Sequence, residues 1–231
     1  MYVSSVRFRH VRLEAPAHSL SALARFYSER LGLENLGTEN VSMRIGETEL
    51  EFAPGVGGPF YHFALLAPGD RFDEGLAWLR ERTELLPDSE TGDVVFDFDN
   101  WDALACYFHD PAGNIVELIA HRGLGELGAE GPFSGSELLG LSELGLVGDT
   151  AEMAVTLGRE LGLELWDGTV EEEGRLAFLG KKARTLILSP AGRGWLPTGR
   201  PAERHPCEVV LAGPPPGEAL LAGSQRVLSE T

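Results

Sequence analysis

Polar and apolar residues along this chain fall into two alternating registers, one of period two and one close to period 3.6. Residues 6–13, 48–52, 60–66, 94–98, 104–109 and 114–120 read as strands. Between them, Leu20, Leu23, Phe26, Tyr27 and Leu31 recur at helical spacing, and Gly32 ends a helix over 19–31. Phe72, Leu76 and Leu79 form the inner stripe of a second helix near 72–82. A glycine-rich stretch from Gly123 to Pro132 reads as a linker. Beyond it the pattern starts again, with a strand over 138–147, a helix over 150–161 closed by Gly162, strands over 176–179 and 184–188, a loop over 192–206 and a strand over 207–211. The helix exits Leu31-Gly32-Leu33 and Leu161-Gly162-Leu163 repeat each other.

This repetition predicts an α+β fold of βαβββ units that form curled mixed sheets with helices outside. Two units occupy 1–122, a linker 123–136, and an incomplete second half 137–231. Little room remains after Gly213-Pro214-Pro215-Pro216-Gly217, so the second half is expected to be truncated. Matching the halves sets His10 against Glu143, Glu51 against Ile187 and His62 against His205, and nothing matches Glu117. The second half is therefore expected to supply at most walls to a site in the first.

Single polar residues stand out in four apolar strands. In residues 115–119 alternation puts Glu117 on the same face as Ile115 and Ile119, where an ionised carboxylate needs a partner. Alternation likewise pairs His10 with Phe8, opposite Val11 and Leu13. His62 interrupts the strand at 60–66, and Glu51 faces away from Leu50 and Phe52. The plainer readings are a hydrogen-bonded core histidine for His62 and a solvated strand face for Glu51, which shares its parity with Glu47 and Glu49. Imidazole with carboxylate also makes a nitrogen and oxygen donor set suited to divalent Fe, Mn, Ni, Co or Zn.

The opening-strand His10, the helix leading to Leu31-Gly32-Leu33, Glu51, His62 and the run Asp110-Pro111-Ala112-Gly113-Asn114-Ile115-Val116-Glu117 together resemble the vicinal oxygen chelate superfamily. That superfamily contains glyoxalase I, extradiol dioxygenases and fosfomycin- and bleomycin-resistance proteins. The resemblance covers about residues 5–121 well and 137–212 more faintly. It implies a metal held by His10, Glu51, His62 and Glu117 in the first half, or across a homodimer of first halves. It also implies a small oxygen-chelating substrate and lyase or isomerase chemistry, with Glu51 or Glu117 as base. His10, His62 and Glu117 alone match the iron triad of the dioxygenases, and Tyr107 falls where some of those enzymes place an acid–base tyrosine. The bleomycin-resistance relatives imply a third alternative, a metal-free binding module.

Charge narrows the partners. With 19 basic and 36 acidic residues, a net charge of −17, the chain has the wrong sign for nucleic acid or an anionic membrane. No run approaches the ~20 apolar residues that span a bilayer, and no leader is evident, so a cytoplasmic location is expected. Cys106 and Cys207 read as small buried hydrophobes.

Overall fold

The computed structural model describes residues 6–37, 40–172 and 174–230. The first unit comprises β1 (Arg7–Pro16), α1 (Leu20–Arg25), β2 (Glu34–Asn35), β3 (Val41–Ile45) and β4 (Thr48–Gly55). Its helix runs on into a π-helical turn over Phe26–Arg30, which accounts for the length read from the periodicity. The second unit has β5 (His62–Ala67), α2 (Phe72–Arg80), β6 (Leu85–Leu86), β7 (Phe96–Phe98), β8 (Ala103–His109) and β9 (Ile115–His121). The third has β10 (Gly140–Val147), α3 (Thr150–Leu161), β11 (Leu165–Gly168), β12 (Ala177–Lys181) and β13 (Arg184–Ser189). A short hairpin, β14 (Gly194–Trp195) and β15 (Arg200–Pro201), occupies the expected loop. The chain then adds β16 (Cys207–Ala212), β17 (Gly217–Leu221) and β18 (Gln225–Glu230). The last segment thus supplies three strands without a helix, where the sequence reading allowed one.

The strands form the expected curled mixed sheets, but the pairing interlaces the units. A seven-stranded sheet runs β17-β18-β16-β1-β4-β3-β2, joining the first unit to the last segment. The larger sheet runs β11-β12-β13-β10-β5-β9-β8-β6, with β7 on β8, joining the second unit to the third. Each sheet therefore draws strands from both sides of residues 123–136. One face of each sheet packs under helices in a common core that includes Phe8, Leu23, Phe63, Leu118, Leu144 and Leu157. The other face of the larger sheet carries a separate cluster with Ala64, Tyr107, Ile115, Ile119, Ile187 and Trp195. Among the described residues no helix is long and apolar enough to cross a membrane.

Two bulges set which residues face which side. The β1–β16 register slips between Phe8 and His10, and the β10–β5 register slips between Leu141 and Glu143. An extra residue in one strand reverses the alternation beyond it. Phe8, Val11 and Leu13 consequently all lie in the helix-side core, while His10 remains partly exposed. The expectation that His10 shares a face with Phe8 is corrected by this bulge.

The Asp110–Asn114 turn owes its residue types to anchoring. Buried Asp110 accepts hydrogen bonds from the Tyr27 hydroxyl (2.9 Å), Asn114 Nδ2 (2.8 Å), and the backbone N–H groups of Ala112 (2.9 Å) and Asn114 (3.1 Å). Asn114 Oδ1 in turn accepts from the Tyr61 N–H at 2.8 Å. Gly113 adopts φ +80°, a left-handed conformation that costs other residues energy. The turn thus ties the π-helical extension of α1 to the entrance of β5. Replacing Asp110 with Ala strands several buried donors, so Asp110→Ala is expected to cost about 2–4 kcal/mol and Tyr27→Phe about 1 kcal/mol. Urea midpoints at constant m-value check both, and equal stability of Asp110→Ala and the parent would contradict the anchoring role.

Candidate metal centre

The centre of the larger sheet brings three ligand-type side chains to one point. His62 opens β5, Glu117 lies on the parallel neighbour β9, and Glu143 lies on the antiparallel neighbour β10. Ala64 is the hub, since it pairs with Glu117 on one side and Glu143 on the other. One ligand atom from each of the three residues lies within 4.8 Å of the others. The bulge after Leu141 turns Glu143 onto this face, while Leu141 and Leu144 stay in the helix-side core. All three residues are buried.

The protonation pattern follows from burial. His62 Nδ1 lies 3.1 Å from the Ile115 carbonyl, which can only accept, so the proton sits on Nδ1 and Nε2 presents a lone pair. Burial lowers the His62 pKa to about 4, leaving the ring neutral. Its Nε2 stands 3.5 Å from Glu117 Oε2. Burial, and then the charge of Glu143, raise the pKa of Glu117; burial pushes Glu143 up to about 8. Among the described residues Glu143 Oε1 is buried with no hydrogen-bond partner, with Thr185 beside the carboxyl. Tyr107 pairs with Glu117 across β8 and β9, and burial followed by the two carboxylates keeps its phenol protonated.

A lone pair and two carboxylates facing one another, one oxygen without a donor, describe a cavity shaped for a cation. Ligands about 2.0–2.3 Å from a shared ion stand no more than about 4.6 Å apart. The observed spread is close to that limit. One nitrogen and two carboxylate groups suit a borderline-to-hard divalent ion, and two carboxylates balance its charge. The residues present fit such an ion.

His10 and Glu51 do not join this group. They lie in the seven-stranded sheet, with His10 Nε2 3.0 Å from Glu51 Oε2. Within the chain, the four residues expected to form one centre in the first half or across a homodimer lie in two separate places, because β1 and β5 each pair with a strand from beyond the linker and not with each other. Glu143, from beyond the linker, lies in the candidate group, where the second half was expected to supply only walls.

Registers make the two places comparable. Arg12 pairs with Glu51, Ala64 with Glu117, Gly145 with Ile187 and Val210 with Leu228. Two residues before each first partner stand His10, His62, Glu143 and Glu208. One cup thus holds His62, Glu117, Glu143 and Ile187; the other holds His10, Glu51, Glu208 and Leu228. The counterpart of His62 is Glu208, not His205, which lies just before β16 with its ring against Phe60 and Tyr61. In the second cup the carboxylates already have cations. Arg12 Nε is 3.2 Å from Glu51 Oε1, and an Arg226 guanidinium nitrogen is 2.7 Å from Glu208 Oε2.

The mouth of the first cup is aromatic. A cavity of about 80 Å³ lies over the three ligands, walled by Phe98, Trp101, Phe178, Trp195 and Leu196, with Arg193. The 194–201 hairpin forms one wall. Trp195 packs on the His62 ring with centroids 5.0 Å apart, and Arg200 holds the hairpin over Phe60 and onto the Gly113 carbonyl at 3.0 Å. Sequence reading missed Glu143, Arg193 and Trp195. Glu143 had the same signature as Glu117, one carboxylate among aliphatic strand residues.

No family model matches the chain, and no curated protein matches it in sequence. Solved structures do match. Over 98% of the chain it superposes on 92% of a V278E mutant of glyoxalase I from Zea mays, with TM-score 0.57 and 14% identity. A candidate dioxygenase from Bacillus subtilis gives TM-score 0.59 and 14% identity over 98% of this chain and 86% of that one. Glyoxalase I from Zea mays gives 0.53 and 16% over 90% and 75%. The chain has the fold of these glyoxalase and dioxygenase structures.

Proposed function

We propose that the protein is a divalent-metal-dependent enzyme of lyase or isomerase type acting on a small oxygen-chelating metabolite. The convergence of His62, Glu117 and Glu143 carries this reading. His62 Nε2 and the two carboxylates would hold the ion, which when bound supplies Lewis acidity toward adjacent substrate oxygens. Glu143 Oε1, without a hydrogen-bond partner among the described residues, would take a proton from substrate carbon once the bound ion has displaced the carboxyl's own proton. Tyr107 holds a proton at its hydroxyl beside Glu117 and can donate it to a substrate oxygen. The aromatic walls exclude water and orient a flat or apolar body. Glu51, held by His10 and Arg12, has no part in this chemistry.

A ferrous dioxygenase is the second reading. Ile187 at the fourth register position leaves three protein ligands, and three leave more room for substrate and oxygen. Oxygen uptake by anaerobically iron-loaded protein on a catechol panel separates the two. A metal-free binding module is the third, and elemental analysis tests it. Substoichiometric metal, unresponsive to added Mn, Fe, Ni, Co or Zn, would favour that module.

Titration of the metal-free chain with Mn(II) or Ni(II) is expected to saturate at one ion per chain, because Arg12 and Arg226 neutralise the second cup. His62→Ala and Glu143→Gln should each weaken binding by roughly 100-fold or more, whereas His10→Ala should leave it within about threefold. Calorimetry reads both, and loss of binding in His10→Ala with retention in His62→Ala would sink the assignment.

Protons should leave as the ion enters. Glu143 keeps its proton in the folded metal-free chain up to about pH 8, so affinity should rise with pH toward that value. Heats measured in buffers of different ionisation enthalpy count the protons released.

Folding stability carries the opposite sign. The folded pKa of Glu143 lies above its unfolded value near 4.5, so its contribution is fully present at low pH and is lost as pH rises through about 8. His62, lowered to about 4, costs stability only as pH falls from about 6.5. Between pH 6.5 and 8 the metal-free chain should therefore lose up to about 1.4 kcal/mol per pH unit for each such carboxyl. Urea unfolding in chelator should show this slope, and Glu143→Gln should flatten it.

A further inference from the structure

Among the described residues the cavity over the three ligand-type side chains is lined by one cationic side chain, Arg193, which has no acidic partner. Arg193 donates from one guanidinium nitrogen to the neighbouring Gly194 carbonyl at 3.0 Å. Among the described residues no carboxylate lies within ion-pairing distance of it. Arg7, Arg12, Arg71, Arg122, Arg184 and Arg226 have carboxylate partners, whereas Arg44, Arg200 and Arg204, like Arg193, have none among the described residues. Arg193 is set apart by its place in the wall of the cavity over the three ligand-type side chains. Arg193 is also only partly exposed, so part of its hydration is already lost. A guanidinium in that position has planar, paired donors suited to a carboxylate, and a strongly negative protein needs a local positive group to admit an anion.

Size and wall chemistry limit the rest of the ligand. The volume of about 80 Å³ is several times that of a single water site at about 10–15 Å³, and well below the ~300–1,000 Å³ of pockets for larger ligands. Phe98, Trp101, Phe178 and Trp195 offer ring faces and edges, and the polar groups lie at the floor. Such a site has one place for adjacent oxygens, apolar walls and one place for an anion.

We propose that Arg193 is the specificity-determining residue of this site, and that the substrate is a small aromatic or similarly flat carboxylic acid. Its vicinal oxygens face His62, Glu117 and Glu143, and its carboxylate meets the Arg193 guanidinium. This inference rests on the proposed metal-dependent function for the oxygen end and on Arg193 alone for the acid end. Glu51, His10 and the second cup take no part in it.

Two probes with identical adjacent oxygens, catechol and 3,4-dihydroxybenzoate, test it with Mn(II)-loaded protein under anaerobic conditions. Quenching of tryptophan fluorescence, with Trp101 and Trp195 in the cavity wall, reads binding. The wild type should bind the carboxylate at least about tenfold more tightly than catechol. Arg193→Met should bring that ratio to about one with unchanged metal stoichiometry, and Arg193→Lys should keep an intermediate ratio. Equal affinities in the wild type, or a preference that survives Arg193→Met, would overturn the proposal. Failure to take up Mn(II) would instead count against the metal reading. In that event benzoate against benzyl alcohol, measured on the metal-free chain, still decides the anchor, with equal affinities overturning it.

Discussion

Glu143 reaches the ligand cluster because β10 carries one extra residue against β5, and the site depends on that slip. Ahead of the bulge Leu141 faces the helix-side core; beyond it Glu143 faces the cup and Leu144 returns to the core. Ala64 then lies between two carboxylate-bearing strands in adjacent registers. Without the bulge Glu143 would share a face with Leu141 and enter an apolar core, where nothing offsets the cost of its charge. Backbone pairing between two units from opposite sides of the linker, more than any side-chain contact, makes the cluster.

The cluster is costly for a protein without a ligand. Two buried carboxylates and an imidazole lone pair converge, and burial answers by keeping protons on the acids and off the ring. Structural ion pairs elsewhere in the molecule follow the opposite logic. Arg71, almost wholly buried, is held by Glu137 and by the carbonyls of Ala129 and Gly131. The second cup is likewise filled by arginine–carboxylate pairs. The first cup thus keeps an unbalanced polar cluster while the second is balanced, and this difference supports the first as the proposed site.

The Asp110–Asn114 turn illustrates how a strong sequence signature can be structural. Its residues hold a left-handed glycine, bind Tyr27 and fix the entrance of β5. Their effect on the site is indirect, through the position of the strand that carries His62 and the strand that follows with Glu117. Of the whole run, only Glu117 joins His62 and Glu143 in the candidate metal centre.

Local pattern was enough for much of this architecture. Helical spacing identified α1, α2 and α3, alternation identified the principal strands, and isolated polar residues in apolar strands pointed to His62 and Glu117, because periodicity and burial are written in neighbouring residues. Tyr107 was singled out through the family resemblance alone, since the residues of its own strand read as core. Pairing between distant strands is not written locally. His10 and His62 have similar strand settings, and only the choice of β16 and β10 as their partners sends them to different sheets. The bulges at Arg9 and Ser142 reverse strict alternation, so the faces of His10 and Glu143 could not be read by counting. Long-range strand register is set by the packing of whole faces, and that packing alone decided which histidine and which glutamates would meet.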